Sequence, residues 1–131
     1  MLKILIIDSN KLFRTSLGKS LSSRFPAAEI QETGSGADGL QKVAAFAPQL
    51  TFIDIYLTDI SGLDLAKKIK TFYPQTIIAT FASFESPEYQ AAAAAYGVEY
   101  LIPKDDWSSE KILEFVESLT ANFENAPNTP A

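Results

Sequence analysis

The chain has 131 residues, 11 Lys and Arg against 16 Asp and Glu, a formal net charge of −5, and neither Cys nor His. That length carries one domain with a sizeable core, and a hydrophobic content of 47% sets the chain apart from disordered sequences. The missing Cys and His exclude disulfides, thiolate or imidazole metal sites, Ser–His–Asp chemistry and a His phosphocarrier within the chain, and the acidic balance disfavours direct nucleic-acid binding.

The chain alternates short apolar runs with longer amphipathic stretches. Ile4–Ile7 is a continuous aliphatic run, predicted as a strand buried on both faces. Lys11 to Ser23 follows as a helix, with Phe13, Leu17 and Leu21 forming one stripe and Pro26 ending it. A second strand is predicted over Glu29–Thr33, then a turn at Gly34-Ser35-Gly36. Leu40, Val43 and Ala44 mark a second helix that stops before Pro48. Leu50–Ile53 reads as a third strand, stopped by Asp54. A third helix runs from Gly62, with Leu63, Ala66 and Ile69 on one face, to Tyr73-Pro74.

Thr76–Ala82 reads as a fourth strand. Ser86 as N-cap and Pro87 at the first helical position open a fourth helix, which carries Ala91–Ala95 and ends at Gly97. Tyr100–Ile102 is the fifth strand, and Ile112, Val116 and Leu119 line a last helix. Residues 1–121 are expected to form the domain and 122–131, with Pro127 and Pro130, a flexible tail or linker. No run approaches the roughly 20 apolar residues of a membrane helix. No signal segment is visible, so a cytoplasmic location is expected.

Five strand–helix pairs predict a doubly wound α/β domain with a parallel sheet covered on both faces. Ligands of such sheets bind beyond the carboxyl ends of the strands. The residues collected there are Asp8 and Ser9 after strand 1, Asp54 after strand 3, Ala82 and Ser83 after strand 4, and Lys104 after strand 5. Carboxylate oxygens suit a divalent cation such as Mg²⁺, and a lysine pairs with a phosphoryl group as a point charge.

Three stretches carry a resemblance to a known family. They are Ile4-Leu-Ile-Ile-Asp8-Ser9-Asn-Lys-Leu-Phe-Arg14, Phe52-Ile-Asp54-Ile-Tyr-Leu-Thr-Asp-Ile-Ser-Gly62-Leu-Asp64 and Gly97-Val-Glu-Tyr-Leu-Ile-Pro-Lys104-Asp105. In their order and spacing the chain resembles the receiver domain of bacterial two-component response regulators, from Leu2 to about Leu119. The resemblance implies a flavodoxin-like sheet of strand order 2-1-3-4-5. It implies that Asp54 is the phosphoacceptor, receiving a phosphoryl group from a sensor histidine kinase, and that Lys104 pairs with the phosphoryl oxygens. It implies that Asp8, Asp54 and the backbone carbonyl of Tyr56 hold Mg²⁺, and that Tyr56 and Phe84 flank the approach of hydrolytic water. An output surface on helix 4, strand 5 and helix 5 is implied, with a possible homodimer through it. The domain would be no enzyme beyond its own slow phosphotransfer and autodephosphorylation. Lys104 followed by Asp105 is similar to receivers that precede a LuxR-type helix-turn-helix domain, so a DNA-binding output domain outside this chain is expected.

Three positions depart from the family pattern. Ser9 stands where a second metal-binding acid is usual, which lowers the site's charge and predicts weak Mg²⁺ binding. Ala82 stands at the hydroxyl that grips the phosphoryl group, and Ser83, one residue on, is expected on the opposite face. Leu101 stands at the aromatic switch position, with Tyr100 displaced by one residue and hence onto the other face. These departures favour a competing reading, a receiver-like interaction module that works without phosphorylation. A phosphatase reading is weaker: Asp8-Ser9-Asn10 resembles the Asp-x-Asp start of haloacid-dehalogenase phosphatases only faintly, and there is no P-loop. Asp59 reads as a solvated loop carboxylate, one that could supply the missing charge. Asp105 and Asp106 read as helix-entry residues, Trp107 as packing, and Tyr89, Tyr96 and Tyr100 as rim packing or interface aromatics.

Overall fold

A computed structural model describes residues 1–82 and 87–125, with side chains as far as Ala121. Its elements are β1 (Lys3–Ile7), α1 (Lys11–Arg24), β2 (Glu29–Thr33), α2 (Gly36–Phe46), β3 (Leu50–Asp54), α3 (Gly62–Phe72), β4 (Ile77–Ala82), α4 (Pro87–Ala95), β5 (Tyr100–Pro103) and α5 (Ser109–Asn125). The strands form one parallel sheet in the order β2-β1-β3-β4-β5. The expected doubly wound architecture is what forms, with strand limits moved by a residue at most.

The central strands are buried along nearly their whole length and mostly apolar, with Thr51 and Thr80 as buried polar exceptions, because both faces are covered. Alternate residues of β1, β3 and β4 serve two separate cores. Ile4, Ile6, Phe52, Ala79 and Phe81 pack with Leu17 and Leu21 of α1 and Ile112, Val116 and Leu119 of α5. Leu5, Ile7, Ile53 and Ile78 pack with Val43 and Phe46 of α2 and Leu65, Ala66 and Ile69 of α3. A smaller cluster under α4 joins Ile55, Leu63, Ala82 and Ala93, with Tyr89, Tyr96 and Leu101 against it. In α2 it is Phe46, not Ala44, that completes the buried face, since Ala44 is exposed.

Local chemistry sets the helix ends. Asn10, Ser35 and Ser61 accept from backbone N–H groups three residues on and so cap α1, α2 and α3. Gly97 sits at φ +85°, and Val98 N–H to Ala93 O (2.9 Å) with Gly97 N–H to Ala94 O (3.2 Å) closes α4 as a Schellman motif. Asp105 and Asp106 do not enter a helix. Ser108 caps α5, its Oγ accepting from Lys111 N–H at 3.2 Å, and the two aspartates lie in the turn before it. The last helix continues to Asn125, past the Asn122 at which a tail was expected. The first residue unable to continue it is Pro127. Ser83, Phe84 and Ser86 lie outside the described residues. Among the described residues, no helix is long and apolar enough to cross a membrane.

Two leucines of α1 test this packing against each other. Leu21 is fully buried and Leu12 is 85% exposed. Leu21→Ala should cost about 3 kcal/mol in urea denaturation, and Leu12→Ala should stay within about 0.5 kcal/mol of the parent.

Candidate functional site

At the carboxyl edge of the sheet, β1, β3 and β5 end side by side with β4 between the last two. Asp8 follows β1 and has no solvent-accessible surface. Its Oδ1 accepts from Asn10 N–H at 2.8 Å and its Oδ2 from Lys104 Nζ at 2.9 Å. The Asp8 backbone is held as well: its N–H donates to Thr33 O and its carbonyl accepts from Arg14 Nη1 at 2.8 Å. Arg14 in turn pairs through Nε with Glu32 Oε1 at 3.0 Å. Such anchoring is what a buried charge requires, since an unpaired one would cost several kcal/mol of solvation.

Asp54 ends β3 and is 4% exposed. Its Oδ1 accepts from Tyr56 N–H at 3.0 Å. Its Oδ2 faces Lys104 Nζ at 3.9 Å, an ion pair but not a hydrogen bond. Burial pushes the Asp54 carboxyl above its ordinary range, and the nearby Asp8 charge adds to that; the Tyr56 N–H and Lys104 act in the opposite direction. Lys104 reaches both carboxylates because its backbone N–H donates to Ala82 O at 2.7 Å, which seats the residue after β5 against the end of β4.

Sequence reasoning placed Asp8, Asp54 and Lys104 on one rim, and they meet there. Tyr56 is 44% exposed beside the acceptor. Ser9 is exposed next to the buried Asp8. Ala82 is buried in the α4 cluster, with Leu101 on that same side of the sheet. Tyr100 lies on the opposite side, with its ring 4.9 Å from that of Phe115. Trp107 packs edge-on to Phe115 at 5.7 Å.

Asp59 is exposed, as a loop carboxylate, and both its oxygens are engaged by backbone amides. Its Oδ1 accepts from Gly36 N–H at 2.9 Å and its Oδ2 from Ala37 N–H at 3.0 Å. It therefore caps α2 from a loop more than twenty residues away, which no local signal could reveal. These two amides hold its carboxyl below the ordinary carboxylate range. The β3–α3 loop is pinned at its other end by Gly62. A Cβ there would lie 2.3 Å from Asp54 O and 2.4 Å from Ile55 Cα.

The donors suited to a hard divalent cation are the Asp8 and Asp54 carboxylates and the Tyr56 carbonyl. They fit such an ion with one charge fewer than a three-acid site would offer. Among the described residues no group of three acidic side chains comes together.

Residues 4–117 match the response regulator receiver domain. The chain belongs to that family. It is a signalling domain of two-component systems. The response regulator protein VraR of Staphylococcus epidermidis is 26% identical over 109 residues, 83% of this chain and 52% of that protein. The chain spans about half the length of the curated relatives it matches. A CheY-like receiver domain from Methanospirillum hungatei superposes with TM-score 0.85 at 22% identity, over 95% of this chain and 97% of that one. A DNA-binding response regulator of the LuxR family from Staphylococcus aureus gives TM-score 0.81 at 18% identity, over 91% and 98%. Receivers of this fold share the strand order found here.

Two substitutions should move stability in opposite directions with pH. The raised Asp54 carboxyl penalises the folded state fully above its folded pKa and not at all below its ordinary value. Asp54→Asn should therefore raise the melting temperature by a few degrees at pH 7, and the gain should vanish as pH falls through the carboxylate range. The lowered Asp59 carboxyl stabilises the fold above its ordinary pKa. That contribution is lost as pH falls through its folded value. Asp59→Asn should thus melt lower at pH 7, with the deficit closing in acid. Melting curves from pH 3 to 8 check both signs.

Proposed function

We propose that Asp54 accepts a phosphoryl group from a sensor histidine kinase and that the modified domain alters an output surface on α4, β5 and α5. The observation that carries this reading is the buried Asp8 carboxylate and the Asp54 carboxylate about a single ammonium, 2.9 and 3.9 Å from Lys104 Nζ. Asp54 Oδ1 is engaged by Tyr56 N–H, so Oδ2 is the oxygen presented for attack. A bond forms from Asp54 Oδ2 to phosphorus as the P–N bond to a phosphohistidine, or the P–O bond to an acyl phosphate, breaks. The electron pair leaves with the imidazole nitrogen or the carboxylate oxygen. Lys104 neutralises charge on the phosphoryl oxygens, moving from Asp8 towards the new dianion.

Mg²⁺ would be held by Asp8, Asp54 and the Tyr56 carbonyl, and when bound it supplies charge neutralisation at the phosphoryl group. Ser9 in place of a second acid makes that binding weak. Tyr56, 44% exposed and two residues from Asp54, would shield the acyl phosphate from water, so autodephosphorylation is slow. The domain works in the cytoplasm, and its own transfer and hydrolysis are its only chemistry. The half-length match to curated relatives and the LuxR-family neighbour support a DNA-binding output domain beyond this chain, with homodimers forming through α4, β5 and α5.

A second reading rests on Ala82 and Leu101. Neither side chain can bond a phosphoryl group or swing an aromatic ring, which favours a module that binds its partner without phosphorylation. Intact mass after incubation with acetyl phosphate and Mg²⁺ separates the two. A phosphoryl adduct on the parent chain, absent from Asp54→Asn, is expected; no adduct at any Mg²⁺ concentration or with any kinase would leave the constitutive module. Restoring the second acid with Ser9→Asp should tighten Mg²⁺ binding by about tenfold, read by titration of the adduct rate against Mg²⁺.

A further inference from the structure

We propose that Phe13 is a positioning residue for Lys104, its ring face holding the ammonium between Asp8 and Asp54. This rests on the reading of Asp54 as acceptor and assigns a role to a residue outside the acid–lysine set.

Lysine is a flexible point charge with four rotatable bonds, and side-chain rotamer entropy opposes fixing it. Among the described residues, one of its three N–H donors is used by a hydrogen bond, the 2.9 Å contact to Asp8 Oδ2. Asp54 at 3.9 Å lies beyond hydrogen-bond reach. An aromatic face also meets the ammonium, with Lys104 Nζ 4.3 Å from the Phe13 ring centroid. A cation over a ring face at that distance is attracted by the ring quadrupole, and more strongly where water is excluded. Side-chain exposure of Lys104 is 18% and of Asp8 is 0%, so the contact is largely desolvated.

The ring is itself held, through its backbone and through one aromatic neighbour. Asn10 Oδ1 accepts from Phe13 N–H at 3.1 Å, which sets the first turn of α1. Phe81 meets the ring edge-on, at 5.2 Å and 83°. Phe81 stacks on Phe52 at 5.2 Å and 9°, and Phe52 leans on Phe115 at 6.5 Å. The ring under Lys104 is thus the front of an aromatic column running through the α1–α5 core. The column stands on the acceptor strands: Phe81 is the register partner of Asp54, and Phe52 lies two residues before it on β3. The ring is therefore placed relative to Asp54 by the sheet itself, and it holds the ammonium within reach of both carboxylates. Where Ala82 offers no hydroxyl to the phosphoryl group, a well-placed Lys104 carries more of the recognition.

The test is a series at position 13 in the full chain. Phe13→Met and Phe13→Leu keep apolar packing and remove the ring face; Phe13→Tyr and Phe13→Trp keep it. Two readouts are taken well below each variant's melting temperature. The first is the order parameter of the Lys104 ε-methylene by ¹³C relaxation, with neither metal nor donor present. The second is the rate of phosphoryl-adduct formation from acetyl phosphate and Mg²⁺. The Met and Leu variants should show a Lys104 methylene as mobile as an exposed lysine and an adduct rate about 3- to 10-fold lower. The Tyr and Trp variants should stay within about twofold of the parent. An ordered Lys104 in Phe13→Met, or an undiminished rate there, overturns the proposal. If the parent chain takes no phosphoryl group at all, the acceptor reading fails, and the order parameter alone decides whether Phe13 positions the lysine.

Discussion

A carboxylate with no access to water, Asp8, sits at the end of β1, and much of the carboxyl rim follows from keeping it charged. Its two oxygens need two donors, and the chain supplies Asn10 N–H and the Lys104 ammonium. Lys104 must therefore cross from the far side of the sheet, over β3 and β4, to reach β1. That crossing carries it past Asp54. Asp54 thus faces, at 3.9 Å, a cation that is hydrogen-bonded to its neighbour at 2.9 Å. Removing Asp8 would free the lysine and leave the rim without its organising charge.

The sheet makes that arrangement possible because parallel strands all deliver their carboxyl ends to one edge. Three separate loops can then converge without any of them being long. Rigidity comes from below, where two apolar cores press on the strands from opposite faces. It also comes from the loops' own anchors. Asp59 ties the β3–α3 loop to the amino end of α2, and Gly62 lets that loop pass against the backbone of Asp54 and Ile55 with no Cβ between. Arg14 clasps the turn after β1 to Glu32 of β2. These contacts hold the surroundings of the acid pair and the lysine in place.

The three departures from the family pattern acquire a common geometry in the fold. Ala82 and Leu101 lie on the α4 side of the sheet, where the usual hydroxyl and aromatic would communicate. While Tyr89 and Tyr96 stay with α4, a cluster of aromatic residues gathers on the other side. Tyr100, shifted by one residue, meets Phe115 there, and Phe52, Phe81 and Phe13 extend the cluster to Lys104. The site's contact with the core thus runs through the α1–α5 layer in this protein. Ser9 lies apart from Ala82 and Leu101, exposed beside the buried Asp8.

The sequence determined the element order, the two-sided burial of the strands and the three residues that meet at the rim. Each of these follows from local chemistry: apolar runs with period two or none, helix stripes at period 3.6, and polar residues at strand ends. It also determined that Tyr100 and Leu101 face opposite ways, because strand side chains alternate. What only the tertiary structure decided were contacts between groups far apart in the chain, made on the inside of turns. Asp59 reads as a loop carboxylate until α2 arrives over it. Phe13 reads as one more residue of a helix stripe until Lys104, 91 positions on, is laid across its ring. A side chain's partner there depends on where another segment passes, and that is fixed by packing of the whole sheet, not by the residues on either side.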